Sequence, residues 1–342
     1  MSKGKILVTG GTGYIGSHTV VELQASGFDV VIIDDLSNSS IEVVDNIAKI
    51  SGIKPEFEKF NLQDMSKCEA FFEKYTDIKA IIHFAASKAV GESVQEPLKY
   101  YRNNLTSLIN LVECQRKYKV PNIVFSSSCT VYGQPDVLPV TEDTPRKEAE
   151  SPYGNTKSVC EDILRDSTAA YDNINAIALR YFNPIGAHES GLIGENPSGV
   201  PNNLVPFITQ TAAGIREQLS VFGDDYDTRD GSCIRDFINV VDLAKAHVVA
   251  IDRLLSGKNK APYEYFNIGT GDGATVLELI NTFIKATGVD LNYKIVGRRE
   301  GDIEKIYADT TLANEELGWK AEKSLDETLA SAWNWEKHFR GL

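Results

Sequence analysis

Cysteine is scarce in this chain of 342 residues, and the five present are scattered. Cys68, Cys114, Cys129, Cys160 and Cys233 include no C-x-x-C pair, which argues against both a disulfide framework and a zinc site. A reducing, cytoplasmic setting is therefore the expectation. The five histidines are equally dispersed, and no metal centre is expected. No apolar run approaches the roughly 20 residues of a membrane span. Met1 to Lys5 lead directly into a strand pattern, so no signal peptide is expected. Positive charge is in deficit: 35 Lys and Arg stand against 48 Asp and Glu, a net charge of −13. An acidic surface argues against nucleic acid or an anionic membrane as partner. Any anionic ligand must then be held by local devices: helix N-termini, backbone amides and a few placed arginines.

Glycine, by contrast, is concentrated where it has consequences. Ile6, Leu7 and Val8 form a short apolar run of the kind seen in buried strands. Gly10, Gly11, Gly13 and Gly16 follow, and His18 to Gln24 reads as a helix. Strand, glycine turn and helix together form the context of a dinucleotide site. Two registers fit: Gly11, Gly13, Gly16 as G-x-G-x-x-G, or Gly10, Gly13, Gly16 as G-x-x-G-x-x-G. Phe28 to Ile33 is a second apolar strand, and it ends in Asp34. That is where such folds place the carboxylate that holds the adenosine ribose. A carboxylate there repels a 2′-phosphate, so NAD is favoured over NADP. Asp35 is adjacent and could share the role. Asn38 and Ser39 fit either the same adenosine end or a cap for the helix from Ile41.

The chain continues in the same rhythm. Phe57 to Leu62 reads as a weak third strand, Met65 to Tyr75 as a helix, and Ala80 to Ala86 as a strand running into small residues. Pro97 to Tyr118 is a long helical pattern carrying Asn103 and Asn104, residue types unfavourable in a helix interior. Asn122 to Tyr132 is a fifth strand with a serine-rich end. Alternating strands and helices predict an α/β fold, a doubly wound parallel sheet of Rossmann type. The length suggests a second, smaller mixed α/β domain after it. The expected division is 1–182 plus about 236–262 for the nucleotide domain, and 183–235 with 263–342 for a substrate domain. Gly186 to Asn203 is rich in Gly, Pro and Asn, the composition of a functional loop. Asn203 and Leu204 lead into a helix whose N-terminus suits a phosphate. Arg235 and Arg299 are charged forks that suit a diphosphate. Phe222 reads either as a ring that stacks on a base or as a core residue, the second being the ordinary reading.

Ser151-Pro152 is an N-cap followed by proline at the first helical position. Tyr153 and Lys157 then lie at i and i+4, on one helix face. A tyrosine that works as a base near pH 7 must have its pKa of about 10 lowered by roughly three units, or about 4 kcal/mol. A nearby ammonium supplies part of that. Ser128, at the serine-rich strand end, is the natural third member of the group.

Thr9-Gly-Gly-Thr-Gly-Tyr-Ile-Gly-Ser17, Ser126-Ser-Ser-Cys-Thr-Val-Tyr-Gly133 and Tyr153-x-x-x-Lys157 resemble the extended short-chain dehydrogenase/reductase family. His83 to Ser93, Arg180 to Ala187, Pro201 to Leu204 and Arg298 to Asp302 narrow the resemblance, along essentially the whole chain, to its UDP-glucose 4-epimerases. The resemblance implies one tightly bound NAD and reversible epimerisation of UDP-glucose and UDP-galactose through a 4-keto sugar. Tyr153 would take the proton, Lys157 would hold the nicotinamide ribose and depress the tyrosine pKa, and Ser128 would relay or orient. The NAD contacts implied are Gly10, Gly13, Tyr14, Ile15, Gly16, Asp34, Asn38, Ser39, Asn61, Leu62, Phe84, Ala85, Lys88, Asn103, Ser126, Tyr153, Lys157 and Tyr181. Those to the UDP-sugar are Lys88, Ser128, Thr130, Tyr153, Phe182, Asn183, Asn203, Leu204, Phe222, Arg235, Arg299, Asp302 and Ile306. A homodimer through helices of the first domain, including the one carrying Tyr153, is implied as well.

Two positions depart from the family pattern. Asn61 stands where Asp often contacts the adenine amino group, a role its carbonyl can take over. Ile306 stands where a Tyr restricts the pocket to glucose and galactose, so room for UDP-GlcNAc and UDP-GalNAc is expected. The rival readings are a 4,6-dehydratase and an NAD-holding sensor without turnover. Dehydratases carry Asp-Glu before Val-Tyr-Gly, where this chain has Cys129-Thr130. A sensor has no need of the Tyr153/Lys157 pair.

Overall fold

A computed structural model describes residues 2–197, 199–299 and 303–342. The amino-terminal part alternates strand and helix: β1 (Lys5–Thr9), α1 (Tyr14–Ala25), β2 (Asp29–Asp34), α2 (Glu42–Ser51), β3 (Glu56–Lys59), α3 (Met65–Lys74) and β4 (Ile78–His83). It goes on through α4 (Val90–Gln95), α5 (Pro97–Lys117), β5 (Asn122–Ser126), α6 (Pro152–Ala170) and β6 (Asn175–Tyr181). Then come β7 (Asn183–Ile185), α7 (Leu204–Ala212), β8 (Leu219–Phe222), β9 (Ile234–Arg235), β10 (Phe237–Asn239), α8 (Val240–Leu255) and β11 (Tyr263–Ile268). The chain closes with β12 (Ala274–Thr275), α9 (Val276–Thr287), β13 (Tyr293–Val296), β14 (Lys305–Ile306) and α10 (Leu325–Arg340).

Seven parallel strands form one sheet in the order β11-β6-β5-β4-β1-β2-β3. Its central strands carry unbroken apolar runs, Ile6–Val8, Val30–Ile33, Ala80–Ile82 and Ile123–Phe125, because both faces are covered, while the edge strand β3 is mostly charged. Ile6, Val8, Val30, Ile32 and Ile82 pack beneath α1 and α8, while Leu7, Val31, Ile33, Ile81 and Ile123 pack beneath α3, α5 and α6. This is the predicted doubly wound Rossmann-type sheet. Strand order reverses at β1, whose neighbours are β2 and β4, and ligands of such sheets sit outside the strands' carboxyl ends at that point.

The smaller lobe packs α7, α9 and α10 over the short parallel pairs β10-β7 and β13-β8, with Ile208, Leu279, Ile280, Phe283 and Leu329 at its centre. One segment differs from expectation. Tyr263–Ile268, expected in the smaller lobe, is β11 and pairs with β6 as the last strand of the large sheet. The return helix α8 begins at Val240, because the Asn239 side chain caps it by accepting from the Val241 N–H at 2.8 Å. Among the described residues, no helix is long and apolar enough to cross a membrane.

Candidate active site

The glycine turn resolves into the register Gly10, Gly13, Gly16. Gly10 has φ +72°, and its N–H donates to the Ile33 carbonyl at 2.8 Å. A Cβ on Gly16 would lie 2.2 Å from the Gly10 carbonyl oxygen, so only glycine lets α1 start this close to the turn. Gly11 serves the core instead, where a Cβ would strike Ile32. Gly13 is the N-cap of α1 and no side chain caps the helix, which leaves its first N–H groups to an anion. Asp34, at the end of β2, is held by the N–H groups of Thr12 at 3.2 Å and Leu36 at 2.9 Å. The Ser39 hydroxyl lies 2.7 Å from that of Thr12 and donates to Asp34 at 3.3 Å. The turn, the helix end and the carboxylate thus fit a dinucleotide.

On the far side of the switch point, Ser151 caps α6 by accepting from the Gly154 N–H at 3.2 Å, with Pro152 next, as predicted. Tyr153 and Lys157 are both buried, on the face of α6 that meets the end of β5. The Lys157 ammonium donates to the Ser126 carbonyl at 2.7 Å and lies 5.8 Å from the centre of the Tyr153 ring. Burial pushes the Lys157 pKa down to about 8. Burial also drives the Tyr153 phenol well above its ordinary value, with Tyr181 and Cys129 adding to the shift and the Ser128 hydroxyl opposing it. Lys157 is tied to the backbone, and burial sets the direction of the tyrosine's shift. Ser126 and Tyr181 pair hydroxyl to hydroxyl at 2.6 Å. Ser128 caps a short 3₁₀ turn by accepting from the Thr130 N–H at 3.2 Å. The Thr130 hydroxyl is buried at the cleft wall and has no hydrogen-bond partner.

These parts line a single cleft of about 2300 Å³ between the lobes. Pockets for one small ligand run to about 300–1,000 Å³, so this cleft has room for two. Every described candidate residue lines it except Ile306. That side chain is 3% exposed, packed with Val131, Tyr132, Phe182 and Ala308, and the wall nearby is made by Ile303. Asp302 lies outside the described residues. Phe222 is 40% exposed on the cleft, not a core residue, and the Arg299 guanidinium sits 5.4 Å over its ring. Arg235 is anchored by donation to the Ile234 carbonyl at 2.8 Å.

The asparagines of α5 have a structural reason. Asn104 accepts from the Ser87 N–H at 2.8 Å and donates to the Thr156 hydroxyl at 2.9 Å, stitching the β4 loop to α6. Asn103 donates to the Ser87 hydroxyl at 3.2 Å.

Some participants escaped the sequence reading. Glu161, on α6, binds Arg180 of β6 through both carboxylate oxygens at 2.6 and 2.9 Å and accepts from the Ser127 hydroxyl at 2.5 Å. The spacing Tyr153, Lys157, Glu161 put it on the same helix face as the tyrosine and lysine and was the available signal. Glu195 receives the Asn203 amide at 2.6 Å and lies 3.7 Å from Lys88, and nothing in its loop announced it.

Among known proteins, residues 7–332 match the family model described as GDP-mannose 4,6 dehydratase. The chain is 50% identical over 341 residues to the UDP-glucose 4-epimerase uge1 of Schizosaccharomyces pombe, covering 98% of this chain and 95% of that one. It is 49% identical over 339 residues to the UDP-glucose 4-epimerase of Mus musculus, covering 97% and 96%. The chain belongs to the UDP-glucose 4-epimerase family. The Bifidobacterium longum epimerase solved with NAD+ and UDP superimposes with a TM-score of 0.92 at 46% identity, over 98% of each chain. A Stenotrophomonas maltophila epimerase, solved with NAD and formylated UDP-arabinopyranose, gives a TM-score of 0.95 at 45% identity, over 99% of each chain. As an epimerase of this family the chain needs no second acid or base for elimination at C5 and C6. The groups that act most strongly on Tyr153 are Tyr181, Cys129, Ser128 and Tyr100, none of them a carboxylate. The Cys129 thiol is pushed up to about 12 by burial.

Proposed function

We propose that this chain interconverts UDP-glucose and UDP-galactose at C4, with Tyr153 taking and returning the hydroxyl proton beside a retained NAD. The carrying observation is that one two-ligand cleft joins the uncapped N-terminus of α1 and Asp34 to Tyr153, Ser128 and the smaller lobe's arginines. Bound NAD supplies the hydride acceptor and donor, and in its oxidised form a positive charge at the Tyr153 end of the cleft. The chain's own residues do the rest. The N–H groups after Gly13 and the Asp34 carboxylate hold the cofactor's pyrophosphate and adenosine ribose. Lys157 is kept charged near neutrality and attracts negative charge forming on the phenol. Because burial opposes ionisation of Tyr153, the phenol works as a base only where positive charge offsets that burial, the Lys157 ammonium together with the charge that oxidised NAD would supply. Ser128 steadies the sugar hydroxyl while its proton passes to Tyr153. Asn203, Arg235, Arg299 and the N-terminus of α7 anchor the diphosphate, so the keto sugar can turn over without leaving.

The larger lobe is the NAD domain and the smaller one the UDP-sugar domain in this reading. Ile306 packs behind the wall near the sugar, where a bulkier tyrosine would press that wall toward the cleft, and on this ground UDP-GlcNAc is a further substrate. A homodimer through α5 and α6 is favoured by family analogy and by Leu98 and Ile109, apolar residues exposed on α5. A cytoplasmic location is favoured by five free cysteines.

The deciding experiment incubates the purified chain with UDP-galactose and no added cofactor, and follows UDP-glucose with a coupled dehydrogenase. Turnover is expected. No turnover, even with NAD supplied, would sink the reading. The same assay with UDP-GlcNAc is expected to give measurable epimerisation, and Ile306→Tyr to abolish it while UDP-galactose turnover persists. Equal UDP-GlcNAc rates in both proteins would remove Ile306 from the account.

A further inference from the structure

Beside Asp34 a second acid, Asp35, is joined to Asn61 between the loops that follow β2 and β3. The Asn61 amide donates to Asp35 Oδ2 at 2.8 Å, and Asn61 Oδ1 accepts from the Gln63 N–H at 2.9 Å. The amide cannot be turned over, since that would set oxygen against carboxylate and NH2 against the Gln63 N–H. Both ends of Asn61 are therefore engaged by protein, although it too lines the cleft. Asp35 keeps more acceptor capacity. An ionised carboxylate has about four acceptor positions. Here the Ser37 N–H takes one, at 2.9 Å, and Asn61 another, while the residue itself lines the cleft. Ile33, Phe60 and Leu62 line the same end and supply apolar walls for a flat ring. With a pyrophosphate on α1 and a ribose on Asp34, the base falls beyond β2, over the carboxyl end of β3, which is this slot.

Resting on the NAD reading above, we propose that Asp35, positioned by Asn61 and the Ser37 backbone, accepts the exocyclic amino group of adenine and selects an adenine dinucleotide. Asn61 positions Asp35 and does not itself read the base. A 6-amino group donates to the carboxylate, in a charge-assisted bond. A 6-oxo group in its place sets oxygen against oxygen and leaves both unsatisfied.

The test is calorimetric titration of the full chain, stripped of bound nucleotide, with NAD and with nicotinamide hypoxanthine dinucleotide, its 6-oxo analogue. The unsubstituted chain is expected to prefer NAD by roughly ten- to a hundredfold. Asp35→Ala removes the acceptor that tells the two bases apart, and the preference should fall to within about threefold. Asn61→Ala should weaken both nucleotides and keep a preference of about tenfold or more. Preference that survives Asp35→Ala and vanishes in Asn61→Ala places the readout on Asn61 and overturns the proposal. Equal affinities in the unsubstituted chain overturn it without any variant. If neither nucleotide binds, the NAD reading falls and the proposal with it.

Discussion

Tyr153 and Lys157 are both buried, 9% and 4% exposed, and burial moves them in opposite directions, the phenol up and the ammonium down. Burial works against each charged form, which is the cost of placing the pair where water is excluded, though Lys157 remains an ammonium at neutral pH. Tyr153→Phe removes only the hydroxyl, so NAD and UDP binding should persist while kcat falls by about 10²- to 10⁴-fold. Full activity in that variant would place the base elsewhere. Lys157 bears on the pH profile. It is charged below about 8 and loses its proton above, so kcat/KM should decline as pH rises through that value. Lys157→Arg keeps the charge throughout, and in whatever activity it retains that alkaline decline should move upward. A decline at the same pH in both proteins would assign it to another group.

At the level of elements, the reacting groups are carried by pieces that must be registered to a fraction of an ångström. Buried Glu161 and Arg180 do this for α6 and β6. Arg180 also donates to the Tyr132 hydroxyl at 3.0 Å, which donates to Asn267 at 2.7 Å, and the Asn267 N–H donates to Glu142 at 2.7 Å. One network thus ties α6, the serine loop and β11 together. Arg180→Met would strand a buried carboxylate, at a cost of about 3–5 kcal/mol. Urea unfolding should show that loss, and Arg180→Met with Glu161→Leu together should recover much of it. A single variant as stable as the parent chain would show that the pair contributes nothing.

The whole molecule carries three buried neutral histidines. Burial holds His18 and His83 down to about 3 and His247 to about 4, against an ordinary 6.5. These folded values lie below the unfolded one, so the unfolded chain binds more protons between pH 6.5 and about 3. Their contribution is fully present above pH 6.5 and is lost as pH falls, by up to about 1.4 kcal/mol per pH unit for each histidine. Urea unfolding at pH 7.5, 6 and 5 should show stability dropping across the series. Unchanged stability would mean that these rings titrate normally.

Most of what could be read from the chain alone was local. A strand, a glycine turn and a helix sit within two dozen residues, Asp34 ends the next strand, and Tyr153 and Lys157 share a helix face by spacing alone. Local periodicity and backbone sterics determine such features, so the sheet, its helices and the shared face of Tyr153 and Lys157 followed from sequence. Tertiary structure decided whatever depends on residues far apart in the chain. The Gly10 register rests on the ladder bond to Ile33, and the ammonium of Lys157 goes to the Ser126 carbonyl. Phe222 proved to be exposed to the cleft, and Ile306 lies behind its wall. Asn61 is spent on Asp35 and Gln63, and β11 belongs to the large sheet. In each case a side chain or strand has several chemically acceptable partners, and only the packing of distant segments brings one of them within reach.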